Sequence, residues 1–195
     1  MTSGLPADLS AYGVRLTRLR AEDIELVRQW RNHPEVARHM LSQDHISAAQ
    51  QAAWFRQVDV ALDRACYLVR YDGEPTAFAS VTSTDGAALA AGDTLEAAIY
   101  LAPGSRCRGT MLAFAPALAL NDACFDALGC AGLLARVRED NTAALRFNTH
   151  MGYRETGRDG QLVYMTLQPD DYRTATARLK DMLSRPRAHQ GESGP

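Results

Sequence analysis

Residues 103–110 read PGSRCRGT and lead from a predicted strand into an apolar run that begins at Met111. A helix that starts after such a loop presents backbone N–H groups without partners and the positive end of its dipole, and both suit phosphate. Gly109 lets the backbone approach a ligand closely, while Arg106 and Arg108 add positive charge and donors that match phosphate geometry. The stretch therefore predicts a phosphate-binding loop. The alternative is a surface loop with two solvated arginines.

The spacing of Gly104 and Gly109 is also that of the loop that binds nucleoside triphosphates in P-loop enzymes. That loop needs a lysine directly after its second glycine, where the ammonium group reaches the phosphates. Thr110 occupies this position, so we set the triphosphate interpretation aside.

Length, composition and charge limit the classes of protein that fit. The chain has 195 residues, of which 46% are hydrophobic and 23% charged, as in a globular protein with one continuous core. The formal net charge of -2 offers no broad positive field, so binding to nucleic acid is not expected. The longest apolar run, residues 111–120, is shorter than the roughly 20 residues of a membrane helix, so we expect no membrane association.

Cysteine and histidine spacing argues against a disulfide framework and against a metal site. The four cysteines include no C-x-x-C pair. His33, His39 and His45 lie six residues apart without a cysteine or acid that completes a ligand set, so no metal is predicted. Residues 1–12 lack a basic run followed by an apolar stretch, so we expect no signal peptide and a cytoplasmic protein with reduced thiols.

Apolar periodicity predicts alternating strands and helices, and hence an α/β fold. Predicted strands cover residues 14–19, 66–71, 75–84, 94–101, 133–137, 153–157 and 162–167. Predicted helices cover residues 22–32, 47–58, 111–128, 141–151 and 172–182. We divide the chain into an N-terminal tail (1–12), one domain (13–169), and a C-terminal helix with a disordered tail (170–195).

Two segments resemble, in the same order, the signature of the GNAT N-acetyltransferases. The acyl-CoA loop of that family reads Gln or Arg, two variable residues, Gly, one variable residue, then Gly or Ala. Residues 106–111 read RCRGTM and depart from this pattern only at Met111. A strand, a helix led by Asn141, and then Gly152-Tyr153 form the second match. The resemblance implies a GNAT fold, in which a mixed central sheet of about seven strands is flanked by helices and two parallel strands splay apart to hold acetyl-CoA.

The resemblance also implies which residues hold acetyl-CoA as cosubstrate. They lie at the end of the splayed strand, in the loop, and on the helix of the second segment: Leu101, Arg106, Arg108, Gly109, Thr110, Asn141 and Phe147.

Acetyl transfer to an amine needs a neutral nucleophile, a polarised thioester carbonyl and a path for the proton. Glu96 and Tyr100 alternate onto one face of the strand 94–101, and we predict Glu96 as the base. The alternative is a solvated carboxylate. Asn148 stands where many GNAT enzymes carry a tyrosine that protonates the leaving thiolate. Because an amide has no such proton to give, Asn148 is predicted only to donate a hydrogen bond, in catalysis or to backbone or water.

The N-terminal half resembles one branch of GNAT enzymes, which acetylates the 4-amino group of UDP-linked 4-amino-4,6-dideoxy sugars in pseudaminic-acid biosynthesis. The matching segments are WRNHPEV at 30–36, Ile46-Ser47 and Trp54-Phe55, although Gln51 replaces a histidine often seen there. The acceptor is therefore predicted to be a nucleotide-linked amino sugar, bound by Arg31, Asn32 and Tyr100.

Two other interpretations of the function stay open. Whether the chain forms a homodimer also stays open. A related branch acetylates protein N-terminal amines, including those of ribosomal proteins, and shares the general layout. The substitutions at Met111 and Asn148 also allow a non-catalytic module that binds acetyl-CoA.

Overall fold

A computed structural model describes residues 4–185, which form an α/β fold around one mixed sheet of eight strands. The predicted fold class is confirmed, with one strand more than expected. In their order across the sheet the strands are β1 (Asp8–Ala11), β2 (Val14–Arg18), β3 (Arg64–Tyr71), β4 (Glu74–Ser83), β5 (Thr94–Leu101), β6 (Gly132–Arg138), β8 (Leu162–Leu167) and β7 (Arg154–Asp159).

The additional strand is β1, which lies in the segment predicted to be a tail. It pairs with β2 through a two-residue turn in which Tyr12 (φ 55°) and Gly13 (φ 79°) both have positive φ. This is the turn geometry that suits the twist of a tight hairpin. The hairpin was not predicted from the sequence because tyrosine at the first turn position is not one of the residues that signal such a turn. Residues 8–11 therefore belong to the domain as its edge strand.

Helices cover both faces of the sheet. Their bounds are α1 (Ile24–Asn32), α2 (Pro34–Ala37), α3 (Ala48–Val60), α4 (Ala115–Asp122), α5 (Thr142–His150) and α6 (Pro169–Ser184). On one face α1 and α3 pack on β3 and β4, where Val27, Trp30 and Val58 meet Leu68 and Phe78. The larger core lies on the other face, under α4, α5 and α6.

The two central strands β5 and β6 run parallel but part after a short paired stretch. They pair only from Thr94 to Glu96 on β5 and from Gly132 to Leu134 on β6. Both strands continue beyond this point, so a V-shaped gap opens between them toward their C-terminal ends. The predicted splayed strand pair is confirmed.

The helix that follows the loop changes its winding along its length. It begins with a 3-10 turn, Met111–Phe114, continues as α4, and ends with a π-helical turn, Ala123–Leu128. Pro116 lies in the first turn of α4, where its missing N–H is not needed. By length and composition alone, the helix Met111–Leu128 could cross a membrane. It packs in the core instead, with Ala115 and Leu118 fully buried.

The C-terminal helix packs into the same core as the rest of the domain. Tyr172 of α6 is 2% exposed, and its hydroxyl lies 2.7 Å from Asp122 Oδ1. Lys180 Nζ lies 2.5 Å from the same oxygen and 4.3 Å from the ring centroid of Tyr172. Burial and the Asp122 carboxylate raise the pKa of the Tyr172 hydroxyl, so it stays a donor. The predicted disordered tail falls mostly on residues 186–195, outside the described residues.

The contact between Gly152 and α6 yields a prediction about stability. Gly152 has φ +95°, and a Cβ built there would lie 2.8 Å from the backbone oxygen of Asp171. We expect Gly152→Ala to lower the free energy of unfolding by about 2–4 kcal/mol, through backbone strain plus displacement of α6.

Urea denaturation measures this change, with Gly157→Ala as control because a Cβ at Gly157 meets nothing within 4 Å. The control should change the free energy of unfolding by no more than about 0.5–1 kcal/mol. Equal stability of the Gly152 and Gly157 variants would contradict the packing of α6 described above.

Candidate functional site

The open end of the V is bordered by loops from both strands. Residues 103–110 follow β5 and lead into α4, while Asn141 follows β6 and caps α5. Because β5 and β6 are parallel, these two segments meet at the same edge of the sheet. The predicted phosphate loop and the predicted second binding segment therefore flank one gap.

The edge of β5 that faces the gap carries backbone groups that β6 does not reach. Ala102 donates its N–H to Thr76 on the β4 side, at 2.8 Å. Since backbone groups alternate between the two edges of a strand, the N–H and C=O of Leu101 and Ile99 point toward the gap. An extended chain such as a pantetheine arm could bond to these groups as a substitute for a strand.

Residues 103–110 present free backbone donors. Within residues 4–185 the N–H groups of Arg106, Gly109 and Met111 have no hydrogen-bond partner. Gly109 has φ +73°, and a Cβ built there meets nothing within 4 Å, so the space in front of it is open. Thr110 accepts the Leu112 N–H at 3.2 Å and thereby caps the first turn. This geometry is that of an anion site at a helix N-terminus.

Both loop arginines contact neighbouring segments. Arg106 Nη2 donates to the Tyr71 carbonyl at 3.1 Å, and its guanidinium lies 4.8 Å from the Tyr71 ring centroid. Arg108 Nη2 lies 3.6 Å from a carboxylate oxygen of Glu35 in α2. Both side chains are half-exposed. Their predicted contact with phosphate stays a prediction, and in this structure they fix the loop to the β3–β4 turn and to α2.

The α5 side of the gap carries a polar cap and an aromatic stack. Asn141 Oδ1 accepts the Ala144 N–H at 3.2 Å, so its predicted role as N-cap is confirmed. The Phe147 ring stacks on Phe114 with centroids 4.6 Å apart and planes within 8°. The stack joins α5 to the first turn after the loop. Contact of Asn141 and Phe147 with a cofactor stays a prediction.

Asn148 turns toward the sheet. Its Nδ2 lies 3.8 Å from the Met165 sulfur on β8, a weak acceptor, and the side chain is half-buried. Because the sulfur is a weak acceptor, the Asn148 amide can exchange this hydrogen bond for one to another group at little cost in free energy. Its role at the leaving thiolate stays a prediction.

The side chains of Glu96, Ala98 and Tyr100 lie on the face of β5 that is turned toward α1 and α3. Glu96 forms a bidentate ion pair with Arg136 of β6, with both N···O distances 2.8 Å. Because Glu96 is the last residue of β5 that pairs with β6, this ion pair bridges the apex of the V. Ala98 beyond it is exposed, so an acceptor can approach the gap there. Glu96 was predicted from the sequence, whereas Arg136 was not, because only the parallel register of β5 and β6 brings Arg136 next to Glu96.

Tyr100 and Arg31 form the far wall of this face. Tyr100 stacks on Phe78 with centroids 5.1 Å apart, and burial raises the pKa of its hydroxyl despite the nearby Arg31. Arg31 donates through Nη2 to the Ser42 carbonyl. Its Nη1 is buried and is the one buried side-chain N or O atom in residues 4–185 without a partner. Burial lowers the pKa of the guanidinium, which remains charged at neutral pH.

The side-chain amide of Asn32 forms two hydrogen bonds with the backbone of one residue, Ile46. Its Nδ2 donates to the Ile46 carbonyl and its Oδ1 accepts the Ile46 N–H, each at 2.8 Å. Asn32 thus holds the segment between α2 and α3 against α1. Its predicted contact with the acceptor stays a prediction.

Two open grooves of about 560 and 860 Å³ border the β1–β2 turn, and neither is lined by β5 or β6. The candidate site therefore rests on the unpaired backbone of the V and not on cavity size. Within residues 4–185 no group of three or more His, Cys, Asp or Glu could hold a metal ion.

Solved structures of several acetyltransferases are similar to this fold. RimJ of Mycobacterium smegmatis, in complex with CoA-disulfide, is 19% identical, with a TM-score of 0.73 over 94% of this chain and 98% of that chain. PseH, an N-acetyltransferase of Campylobacter jejuni in complex with acetyl coenzyme A, is 16% identical, with a TM-score of 0.61 over 80% and 99%. AAC(6')-Ib, in complex with ribostamycin and coenzyme A, is 19% identical, with a TM-score of 0.71 over 82% and 96%. At such identities the likeness shows the fold and does not distinguish acceptors.

No curated protein matches the chain significantly. Residues 14–154, most of the chain, match the acetyltransferase (GNAT) domain family. This range contains β2 to β6, the loop, and α5. The chain therefore belongs to the GNAT family and is an N-acetyltransferase.

Proposed function

We propose that the chain transfers an acetyl group from acetyl-CoA to the amino group of a nucleotide-linked amino sugar of the UDP-4-amino-4,6-dideoxy hexose type. The diphosphate of the donor lies at the free N–H groups of residues 103–110. Its pantetheine arm lies in the V and bonds to the backbone of β5 near Leu101. A cytoplasmic location belongs to the same proposal.

Transfer is direct, within a complex that holds donor and acceptor together. The amine nitrogen attacks the thioester carbonyl, the C–S bond breaks, and the thiolate leaves while the amine loses a proton. Glu96 takes that proton, directly or through water. An acetyl-cysteine intermediate is disfavoured because all four cysteines are buried and burial raises the pKa of Cys66 to about 12 and of Cys130 to about 11.

The observation that carries the choice of acceptor is the unpartnered Nη1 of Arg31. A buried guanidinium donor without a partner is costly, and an anionic group of the acceptor supplies one. Tyr100 and Phe78 offer an aromatic wall beside it. A UDP-linked sugar brings both phosphate and hydroxyl acceptors, whereas a polycationic aminoglycoside is repelled by Arg31.

The test is release of free thiol from acetyl-CoA with three acceptors: a UDP-linked 4-amino sugar, an N-terminal peptide of a ribosomal protein, and an aminoglycoside. We expect turnover with the first. Turnover only with the peptide would favour protein N-terminal acetylation, and acetyl-CoA binding without turnover on any amine would favour a non-catalytic module.

Substitution at Gly109 tests the loop. Gly109→Asp places a carboxylate at the diphosphate and should weaken acetyl-CoA binding on the order of 100-fold by calorimetry, through charge repulsion in a desolvated site. Gly109→Asn has the same shape without the charge and also tolerates positive φ, so it should bind far better. Unchanged affinity in the aspartate variant would refute the loop assignment.

Glu96→Gln tests the base. It should lower kcat by about 100-fold or more, the range of general-base catalysis, with a smaller effect on KM for either substrate. Arg136→Gln breaks the same ion pair but keeps the carboxylate, so it should retain more turnover. Steady-state kinetics distinguishes the two, and equal loss in both variants removes Glu96 as base.

Arg31→Gln tests recognition of the acceptor. It should raise KM for the UDP-linked amino sugar about tenfold or more, since a charge-assisted hydrogen bond contributes roughly 1.5–3 kcal/mol. Acetyl-CoA affinity should not change. The control is Arg20→Gln, because the Arg20 side chain is 71% exposed before α1. An unchanged KM in the Arg31 variant would contradict the proposed acceptor contact.

A further inference from the structure

Glu35 in α2 contacts the phosphate loop at two points. One carboxylate oxygen, Oε2, accepts the Gly104 N–H at 3.3 Å and lies 3.6 Å from Arg108 Nη2. Gly104 opens the loop and Arg108 lies near its end, directly before Gly109. A single oxygen therefore ties both ends of the loop to a helix that is distant in sequence.

The support on which Glu35 stands is itself fixed. Pro34 starts α2 directly after the end of α1, and the Glu35 N–H donates to His33 Nδ1 at 3.3 Å. Asn32 pins the segment that follows α2 through its two bonds to Ile46. The carboxylate thus approaches the loop from a short helix held at both sides.

The loop needs such a support because it has little core of its own. Within it, Cys107 is 1% exposed, whereas Arg106, Arg108, Gly109 and Thr110 are exposed. Its internal bonds are short-range, such as Arg108 N–H to Ser105 at 3.0 Å. Contacts with outside segments decide where its free N–H groups point.

We infer that Glu35 is a positioning residue for the cofactor, which braces residues 103–110 so that the N–H groups of Arg106, Gly109 and Met111 face the diphosphate. It does not bind the diphosphate itself. The brace also connects the cofactor loop to α1, whose last turn carries Arg31. Donor and acceptor sites then share one rigid support.

The negative charge of Glu35 and its role as a brace have opposite effects on acetyl-CoA affinity, so the direction of the change on removal of Glu35 distinguishes them. A carboxylate close to a diphosphate repels it, and its pairing also reduces the positive charge that Arg108 offers. If Glu35 were only a nearby charge, its removal would tighten acetyl-CoA binding. If it is a brace, removal weakens binding although a negative charge is lost.

The experiment compares the acetyl-CoA dissociation constants of the full chain and its variants by calorimetry. We expect Glu35→Ala to weaken binding about tenfold, because the loop loses a charge-assisted hydrogen bond at Gly104 whose contribution is reduced by half-exposure of the carboxylate. Glu35→Gln keeps an acceptor oxygen for the Gly104 N–H, so its acetyl-CoA affinity should lie between those of Glu35→Ala and the parent. S-acetylpantetheine lacks the diphosphate, so its affinity should not change in either variant.

Glu155→Ala is the matched control. Glu155 on β7 pairs with Arg158 and its side chain is 45% exposed, against 44% for Glu35, yet it lies at the far edge of the sheet. This variant should bind acetyl-CoA as the parent does. Hydrogen exchange of the Gly104 amide adds a direct readout and should accelerate in Glu35→Ala only.

Equal or tighter acetyl-CoA binding by Glu35→Ala, with the variant folded by thermal denaturation, would overturn the inference. So would an equal loss of affinity for S-acetylpantetheine, because that indicates general damage. If Gly109→Asp weakens binding and Glu35→Ala does not, the brace fails while the loop assignment stands. If neither weakens it, the loop assignment fails first.

Discussion

Beyond Glu96, one edge of β5 has no neighbouring strand, and the site depends on this loss of pairing inside a sheet. An interior strand normally satisfies its backbone groups on both edges, and an unsatisfied buried group costs roughly 1–3 kcal/mol. The V avoids this cost by remaining open to solvent at its wide end. A ligand with an extended, amide-containing arm replaces that solvent with directed bonds. The same divergence separates the segments that follow β5 and β6, so the loop and the Asn141 cap border a gap and not a closed turn.

The two faces of β5 differ in polarity. Toward α4 and α5 the surroundings are apolar, with Phe114 stacked on Phe147. Toward α1 they are charged and polar, with Glu96 paired to Arg136 and Arg31 beside Tyr100. In the proposed complex, the polar face lies on the side from which the amine approaches the thioester and loses its proton. The bidentate contact with Arg136 holds the Glu96 carboxylate in one orientation at the apex of the V.

The sequence predicted the elements of the fold well because each had a local signal. Apolar periodicity located the strands and helices, and Ser47 and Asn141, where two of the predicted helices begin, are the N-caps of those helices in the structure. What could not be predicted depends on register and on long-range contact. Arg136 faces Glu96 only through the parallel pairing of β5 with β6, and Glu35 meets Gly104 across 69 positions of the chain. Asn32 was predicted to contact the acceptor, and tertiary structure adds two hydrogen bonds to the Ile46 backbone that the sequence does not indicate.

Lys180 is the one lysine of the chain, and its ammonium group is held between Asp122 and the Tyr172 ring with 23% of the side chain exposed. An enzyme that handles an activated thioester is exposed to stray acylation of its own amines. Here the ammonium group of the single lysine contacts a carboxylate and an aromatic ring. Arginine, which offers no nucleophile at neutral pH, supplies the other side-chain cations apart from histidine. Side-chain amines therefore offer a thioester or an amine-directed coupling reagent a single target in this sequence, and that target is largely covered by its two neighbours.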